Sequence, residues 1–405
     1  MRHVVAAAIA ALALVSGAAG ATRADPGVSS TQILLGGTAA ISGPEGAYYA
    51  PVAAGASAYF DYVNAHGGVF GRKISYKVID DAYDPSKTVE ATRELIQQDR
   101  VFAIFNSIGT EHTLAVRTLL NGAQVPQLFV GTGSRSVGSG ASKYPWTMGY
   151  LPSFFGEGRA YGTYIAAHQK GAKVGVLYED DDYGRDLRDG IAAGLGKKGK
   201  VVAAQSYSLT DADVSSQVAR LKGAGANTFA IFALPKQAIQ AFLAAHKLGW
   251  KPRYYVSSVS IDPFVMSVVS KSAGKATTEG AISMAFLKVA TDPANKNDAG
   301  VKLYFSIMRQ YCNGCDPNAL AHIYGMATAF TMVDALKKAG RDLSRKSLMT
   351  AATHLREGNN PFLQPGLVLQ TGPHDYWPLE KMRMFRFHAG RWRPLGKQLV
   401  AVRPR

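Results

Sequence analysis

Three short polar runs carry the residue types that hold a small anion. Ser42, Gly43 and Pro44 with Tyr48 form the first, residues 106–110 the second and residues 131–134 the third. Thr110, Thr132 and Ser134 supply hydroxyl donors, and Gly109 has no side chain to keep a ligand away from the backbone. Thr110 also opens a helical pattern, and the free N–H groups and positive dipole end of a helix N-terminus favour a carboxylate. Ser, Thr and Gly serve as ordinary caps and turn formers too. Three such runs, each just after a strand pattern, point to one shared site. The chemistry they suit is reversible binding of a small carboxylate.

Residues for bond-making chemistry are missing. There is no G-x-S-x-G nucleophile elbow, no H-E-x-x-H pair and no phosphate loop ending in Gly-Lys-Ser/Thr. Gly131 and Gly133 begin like a dinucleotide loop, but the third glycine is absent at the needed offset. The acidic run Glu179 to Asp182 either holds a cation or ends a strand and solvates a turn. The 9 histidines are scattered without metal-ligand spacing. Cys312 and Cys315 are the 2 cysteines of the chain and read as a local disulfide closing a turn. A redox pair would want a strand before it and a helix starting at the first Cys. Zinc would need two further ligands, which no nearby pair offers. The expectation is therefore a binding protein, not an enzyme, with no cofactor and no metal.

The elements that must position these loops alternate. Ile33 to Thr38 is an apolar strand, followed by a helix with Val52, Ala56, Tyr59, Phe60 and Val63 on one face. Ile74, Tyr76 and Val78 alternate as a strand; Asp84 then caps a helix opened by Pro85. Strands at 101–105 and 128–130 enclose a helix starting near Glu111. A second series runs from Lys173: strands at 174–178, 201–207, 229–234, 254–257 and 282–286, with helices at 184–198, 214–222 and 238–248. Strands recur about every 26 residues, the beat of parallel sheets covered by helices on both faces. Two helical patterns, 301–311 and 319–338, follow, and the tail carries strand-like runs at 367–370, 382–387 and 392–395.

Composition sets the compartment and the size. Arg2 and His3 precede an apolar run from Val4 to Val15, and small residues lead to Ala21 and Ala24. This is the form of a secretory signal peptide over 1–24, cleaved after Ala24 or after Ala21, and the apolar run is shorter than the ~20 residues that span a bilayer. The remaining chain, roughly 380 residues, exceeds what one core usually holds, so two domains are expected. Net charge is +16, with Lys and Arg scattered apart from a cluster at Arg383, Arg386, Arg391 and Arg393. No nucleic-acid motif accompanies that charge, so no nucleic-acid partner is expected; a diffuse field attracting small anions fits it instead.

The residues also resemble a known family. Residues 41–44 with Tyr48, 64–68 (Asn-Ala-His-Gly-Gly), 80–85 (Asp-Asp-Ala-Tyr-Asp-Pro), 182–184 and Leu221-Lys222 before a strand are similar, in order, to branched-chain amino-acid-binding proteins of bacterial ABC transporters. The resemblance implies an α/β type I periplasmic-binding-protein fold: two doubly wound parallel-sheet lobes joined by a three-stranded hinge and closing on a ligand. It sets the N-terminal lobe at 25–148 plus 284–366 and the C-terminal lobe at 149–283 plus 367–405. It places Tyr48 and Tyr183 in the cleft, and Gly109, Thr110, Thr132 and Ser134 in the loops that hold a ligand's carboxylate and ammonium. It further implies a periplasmic monomer handing its ligand to an ABC transporter permease; the same lobes also serve as ligand-sensing domains docking on membrane receptors.

Two departures bear on the ligand. Amino-acid binders of this family carry an acidic residue where this chain has Val259, and a tyrosine in the loop that here reads Ala233 to Lys236 and is one residue shorter. A buried ammonium without a carboxylate partner costs several kcal/mol, so the expected ligand lacks an α-ammonium. The stretch 144–152 and the tail resemble a branch associated with aromatic carboxylates. Tyr150, Phe154 and Phe155 either stack on such a ring or form core at the crossover.

Overall fold

The computed structural model describes residues 25–404; the expected leader, 1–24, lies outside the described residues. The first lobe is built on five parallel strands: β1 (Gln32–Ala39), β2 (Lys73–Asp80), β3 (Ala103–Phe105), β4 (Gln127–Val130) and β5 (Thr147–Gly149), in the order β2-β1-β3-β4-β5. Between them run α1 (Gly46–Ala65), α2 (Pro85–Arg93), α3 (Thr110–Gly122) and the short α4 (Arg135–Gly138). Inner strands such as β3 and β4 are buried along their whole length, as expected where helices cover both sheet faces.

The second lobe follows: α5 (Phe154–His168), β6 (Ala172–Glu179), α6 (Asp182–Leu195), β7 (Gly199–Tyr207), α7 (Ser215–Gly223), β8 (Thr228–Phe232), α8 (Pro235–Lys247), β9 (Arg253–Val256), α9 (Pro263–Ala273) and β10 (Ile282–Ala285). The chain then returns to the first lobe, where α10 (Ala299–Tyr311) and α11 (Ala321–Ala339) pack on α1. α12 (Arg345–Ala352) follows, then the small ladder of β11 (Arg356–Glu357) and β12 (Leu369–Gln370). The tail, β13 (Lys381–His388) and β14 (Arg391–Ala401), adds two antiparallel strands beside β10. The second sheet is thus ordered β14-β13-β10-β9-β8-β6-β7.

Three segments cross between the sheets: 150–153, 286–298 and 371–380. The second is pinned to the first lobe by a bridge between Leu287 and Leu363 and by Gln364 N–H donating to Phe286 O at 2.8 Å.

The alternating beat read from the sequence matches the observed strands of both sheets except β5. The elements α4, α5, β5, α9, α12 and β11 lie beyond it. α5 contains Gly156, Gly158 and Gly162, which count against a helix by propensity. β5 is three residues long between Pro145 and Pro152, too short for a periodic signal. α9 and α12 are short helices whose positions in the tertiary structure, not their own patterning, define them.

Candidate functional site

The C-terminal ends of the strands of both sheets face one another across the cleft. In the first lobe, Gly109 caps α3 with φ 111°, a conformation L side chains rarely adopt, and an added Cβ would lie 2.2 Å from His112 Nδ1. Glycine there lets the backbone turn so that Thr110 opens the helix. The hydroxyl oxygens of Thr110 and Thr132 lie 2.9 Å apart, and Ser134 N–H donates to Thr132 Oγ1 at 3.1 Å. Ser134 is itself the cap of α4, accepting from Ser136 N–H at 3.1 Å. Thus Gly109, Thr110, Thr132 and Ser134, from two loops, are brought together beside the N-terminus of a 13-residue helix.

Tyr48 and Tyr183 stand on opposite lobes. Tyr48, in the first turn of α1, meets the ring of Phe264 from α9 edge-on at 6.3 Å. Tyr183, in the first turn of α6, is buried and donates to Ser257 Oγ at 2.9 Å; Phe154 packs on its ring at 4.8 Å. Phe155 lies under the guanidinium of Arg135, 4.5 Å away. Tyr150 does not join the site. It is fully buried, its hydroxyl donates to Ala327 O at 3.2 Å, and Phe129, Phe286 and Tyr324 surround its ring. A phenol with its hydroxyl already satisfied in the core is a packing residue, which corrects its assignment to the ligand. Cys312 and Cys315 form a disulfide after α10, 3 residues apart, away from these loops.

The structure adds cleft residues that sequence reasoning passed over. Tyr49 and Tyr83 stack nearly parallel, 5.2 Å apart and 8° between planes, and Tyr83 continues onto His112 at 4.3 Å. Tyr83 reaches this place because Ala82 and Tyr83 both adopt positive φ, 48° and 60°. Glu45, just before α1, is 5% exposed; across the cleft Glu179 ends β6 and Asp181 caps α6, accepting from Gly184 N–H at 2.9 Å. Tyr207 donates to Glu179 at 3.0 Å. The acidic run therefore turns two of its carboxylates inward instead of solvating a turn. Burial pushes the Glu179 carboxyl well above its usual range, aided by Asp181, and pushes Asp181 up to about 7. Val259, in the single turn Ser258–Ser260, presents no carboxylate at that point; the loop is held from below by Glu157, which accepts from Ser258 N–H at 2.7 Å and Ser258 Oγ at 2.6 Å.

A family model described as periplasmic binding protein matches residues 32–387. The chain belongs to the periplasmic binding protein family. Among curated proteins it is similar to Leu/Ile/Val-binding protein homolog 1 of Brucella suis, 26% identical over 321 residues, covering 76% of this chain and 79% of that one. Homolog 2 of Brucella abortus is 25% identical over 349 residues, covering 83% and 85%. Among solved structures, a branched chain amino acid ABC transporter protein from Thermus thermophilus with bound valine superposes with TM-score 0.80 at 19% identity, covering 91% of this chain and 97% of that one. A fatty acid ABC transporter substrate-binding protein from Thermomonospora curvata gives 0.75 at 22% identity, covering 92% and 93%. At such identities the structural likeness establishes the fold: two α/β lobes of the type I periplasmic-binding-protein kind.

Proposed function

We propose that this chain is the periplasmic solute-binding component of an ABC importer, closing its lobes on a small carboxylate-bearing ligand and delivering it, as a monomer, to a membrane permease. The observation that carries this is the paired hydroxyls of Thr110 and Thr132 beside Gly109 at the N-terminus of α3. Hydroxyl donors, open backbone and a helix dipole together suit a carboxylate. The names of the similar proteins, which include amino-acid and fatty-acid ABC transporter proteins, support a carboxylate as cargo. Aromatic or other organic acids are favoured because Val259 stands where amino-acid binders carry an acid. The second reading is a branched-chain amino acid, favoured by the names of the curated relatives.

Calorimetric titration of ligand-stripped protein with benzoate, 4-hydroxybenzoate and leucine tests this. The acids are expected to bind, and Thr110→Val to weaken them roughly 10- to 100-fold, the worth of one hydrogen bond to a charged group. Leucine binding tighter than either acid would favour the second reading. Unchanged acid affinity in Thr110→Val would remove the carboxylate from this loop.

A further inference from the structure

Cys312 and Cys315 take no part in the cleft, and their surroundings hold more than a closed turn. Cys312 follows the end of α10, and the two Cα atoms lie 5.5 Å apart. A C-x2-C spacing is one that lets two sulfurs reach a single metal ion. Along the chain no second pair of ligands stands near them. The fold supplies a third ligand from the next element. His322, the second residue of α11, brings a ring nitrogen to the cysteines, so that this atom and the two sulfurs all lie within 4.8 Å of one another. Among the described residues this is the one group of three metal-ligating side chains gathered so closely.

The His322 ring is already held as a metal ligand needs to be. Its Nδ1 lies 2.8 Å from the carbonyl oxygen of Ala319. A carbonyl oxygen can only accept, so Nδ1 carries the proton and Nε2 keeps the lone pair that binds a metal. Histidine ligands are commonly oriented in this way, by a backbone carbonyl on the nitrogen that does not bind. His322 and Cys312 are buried, while Cys315 is half-buried and gives a way in from solvent. The loop also has supports other than the S–S bond. Cys312 N–H donates to Met308 O at 3.2 Å, Cys315 N–H to Cys312 O at 3.2 Å and Ala319 N–H to Asp316 O at 3.1 Å. The hydroxyl of Tyr304, on α10, donates to Pro317 O at 2.8 Å. These bonds keep the three side chains together when the sulfurs part.

We propose that Cys312, Cys315 and His322 form a binding site for a soft, thiol-seeking metal ion, Zn²⁺ or Cu⁺, whenever the disulfide is reduced. The reductant is a dithiol: it gives two electrons and two protons to the S–S bond, leaves two cysteine thiols and becomes a disulfide itself. The metal then displaces the two thiol protons, which pass to water, and takes the imidazole lone pair as its third donor. Three donors complete a trigonal cuprous site, or leave a fourth position to water around zinc. With Zn–S bonds of about 2.3 Å in a tetrahedral array the sulfurs stand about 3.8 Å apart, a span that Cα atoms at 5.5 Å allow. One place in the first lobe thus has two alternative occupants, a covalent bond under oxidising conditions and a metal ion under reducing ones. The site is independent of the cleft and of what the cleft binds.

The test uses the mature protein, reduced with dithiothreitol and desalted without oxygen, with thiol titration to show that both cysteines are free. Zn²⁺ and, separately, Cu⁺ are then titrated in against a chromogenic chelator. The reduced protein is expected to retain about one equivalent of at least one of the ions and the oxidised protein none, and the ion retained identifies the metal. X-ray absorption of the loaded parent protein should show both sulfurs and a ring nitrogen bound to the ion, a readout that needs no variant. His322→Ala and His322→Gln should each weaken retention roughly tenfold or more, and Cys315→Ser should lower it to the level of a chain with both cysteines replaced by serine. Reduced protein that retains neither ion better than that chain overturns the proposal and leaves a structural disulfide only. Sulfur-only coordination, or full affinity in both His322 variants, overturns it as well, because a bare dithiol then accounts for the binding. Circular dichroism follows the fold, and unfolding on reduction alone would also overturn the proposal, since the site requires the loop to stand without its S–S bond.

Discussion

Glu357 is a buried carboxylate whose cost depends on pH. Its Oε1 accepts from Thr331 and Asn360, both at 2.9 Å, while Oε2 has no partner among the described residues. Burial raises it from 4.5 to about 7. A raised acid binds its proton more tightly in the folded state, so the stability it contributes is full below about 4.5 and is lost as pH rises through about 7. Glu157 and Asp181, also raised to about 7, act in the same direction. Thermal midpoints should therefore fall from about pH 5 to pH 8, and Glu357→Gln should flatten that fall by on the order of 1–3 kcal/mol. A slope identical to the parent's would mean that the carboxyl is solvated. At this scale the sequence revealed the residues whose role is local. Gly109, Thr110, Thr132 and Ser134 were legible because capping and turn chemistry are written within a few positions. Tyr49 was not, since a tyrosine in an apolar helix reads as core, and Tyr83, in the acidic run 80–85, was not, since nothing local announces positive φ at Ala82 and Tyr83. Glu45 carried no local signal at all, and for the run Glu179 to Asp182 the sequence left open whether it holds a cation or ends a strand.

Between elements, α5 and α6 meet along glycines. Gly158 and Gly162 on one helix and Gly190 and Gly194 on the other lie so close to the opposing backbone that an added Cβ would fall 2.1–2.3 Å from a carbonyl oxygen. The helices can approach this closely because these four positions carry no side chain. Gly190→Ala would push Phe155 and Arg159 away, and a loss of about 1–3 kcal/mol is expected from denaturant unfolding. Gly171→Ala, in open space but at φ 66°, should cost only its backbone strain, about 1 kcal/mol. Equal effects at the two positions would argue against a tight seam. These same glycines concealed α5, because a run that includes Gly156, Gly158 and Gly162 counts as a helix breaker until the partner helix is known. The longer strands suffered no such interference: apolar runs in a covered parallel sheet are nearly continuous and survive without tertiary information.

Across the whole molecule, the lobes are tied on one side of the cleft. Arg135 of α4 meets Asp186 of α6 at 2.6 Å through its side chain and at 2.7 Å through its backbone N–H, and reaches Asp189 at 3.2 Å. Ser136 donates to Asp182 beside it. Removing these ties should shift the population towards separated lobes. For Arg135→Ala, small-angle scattering without ligand should give a larger radius of gyration, and acid affinity should fall; an unchanged radius would show that the hinge alone sets the closed form. Both lobes are also discontinuous in the chain, with β13 and β14 completing the second sheet. β10 therefore waits roughly a hundred residues for its neighbour during synthesis. Until that hairpin arrives, one side of β10 offers unpaired backbone groups to any strand nearby, a known route to aggregation. The hairpin works as a seal carried only by the finished chain: a product stopped short of it would be recognisable to proteases and chaperones by its open edge, so the topology itself lets quality control distinguish complete molecules from truncated ones.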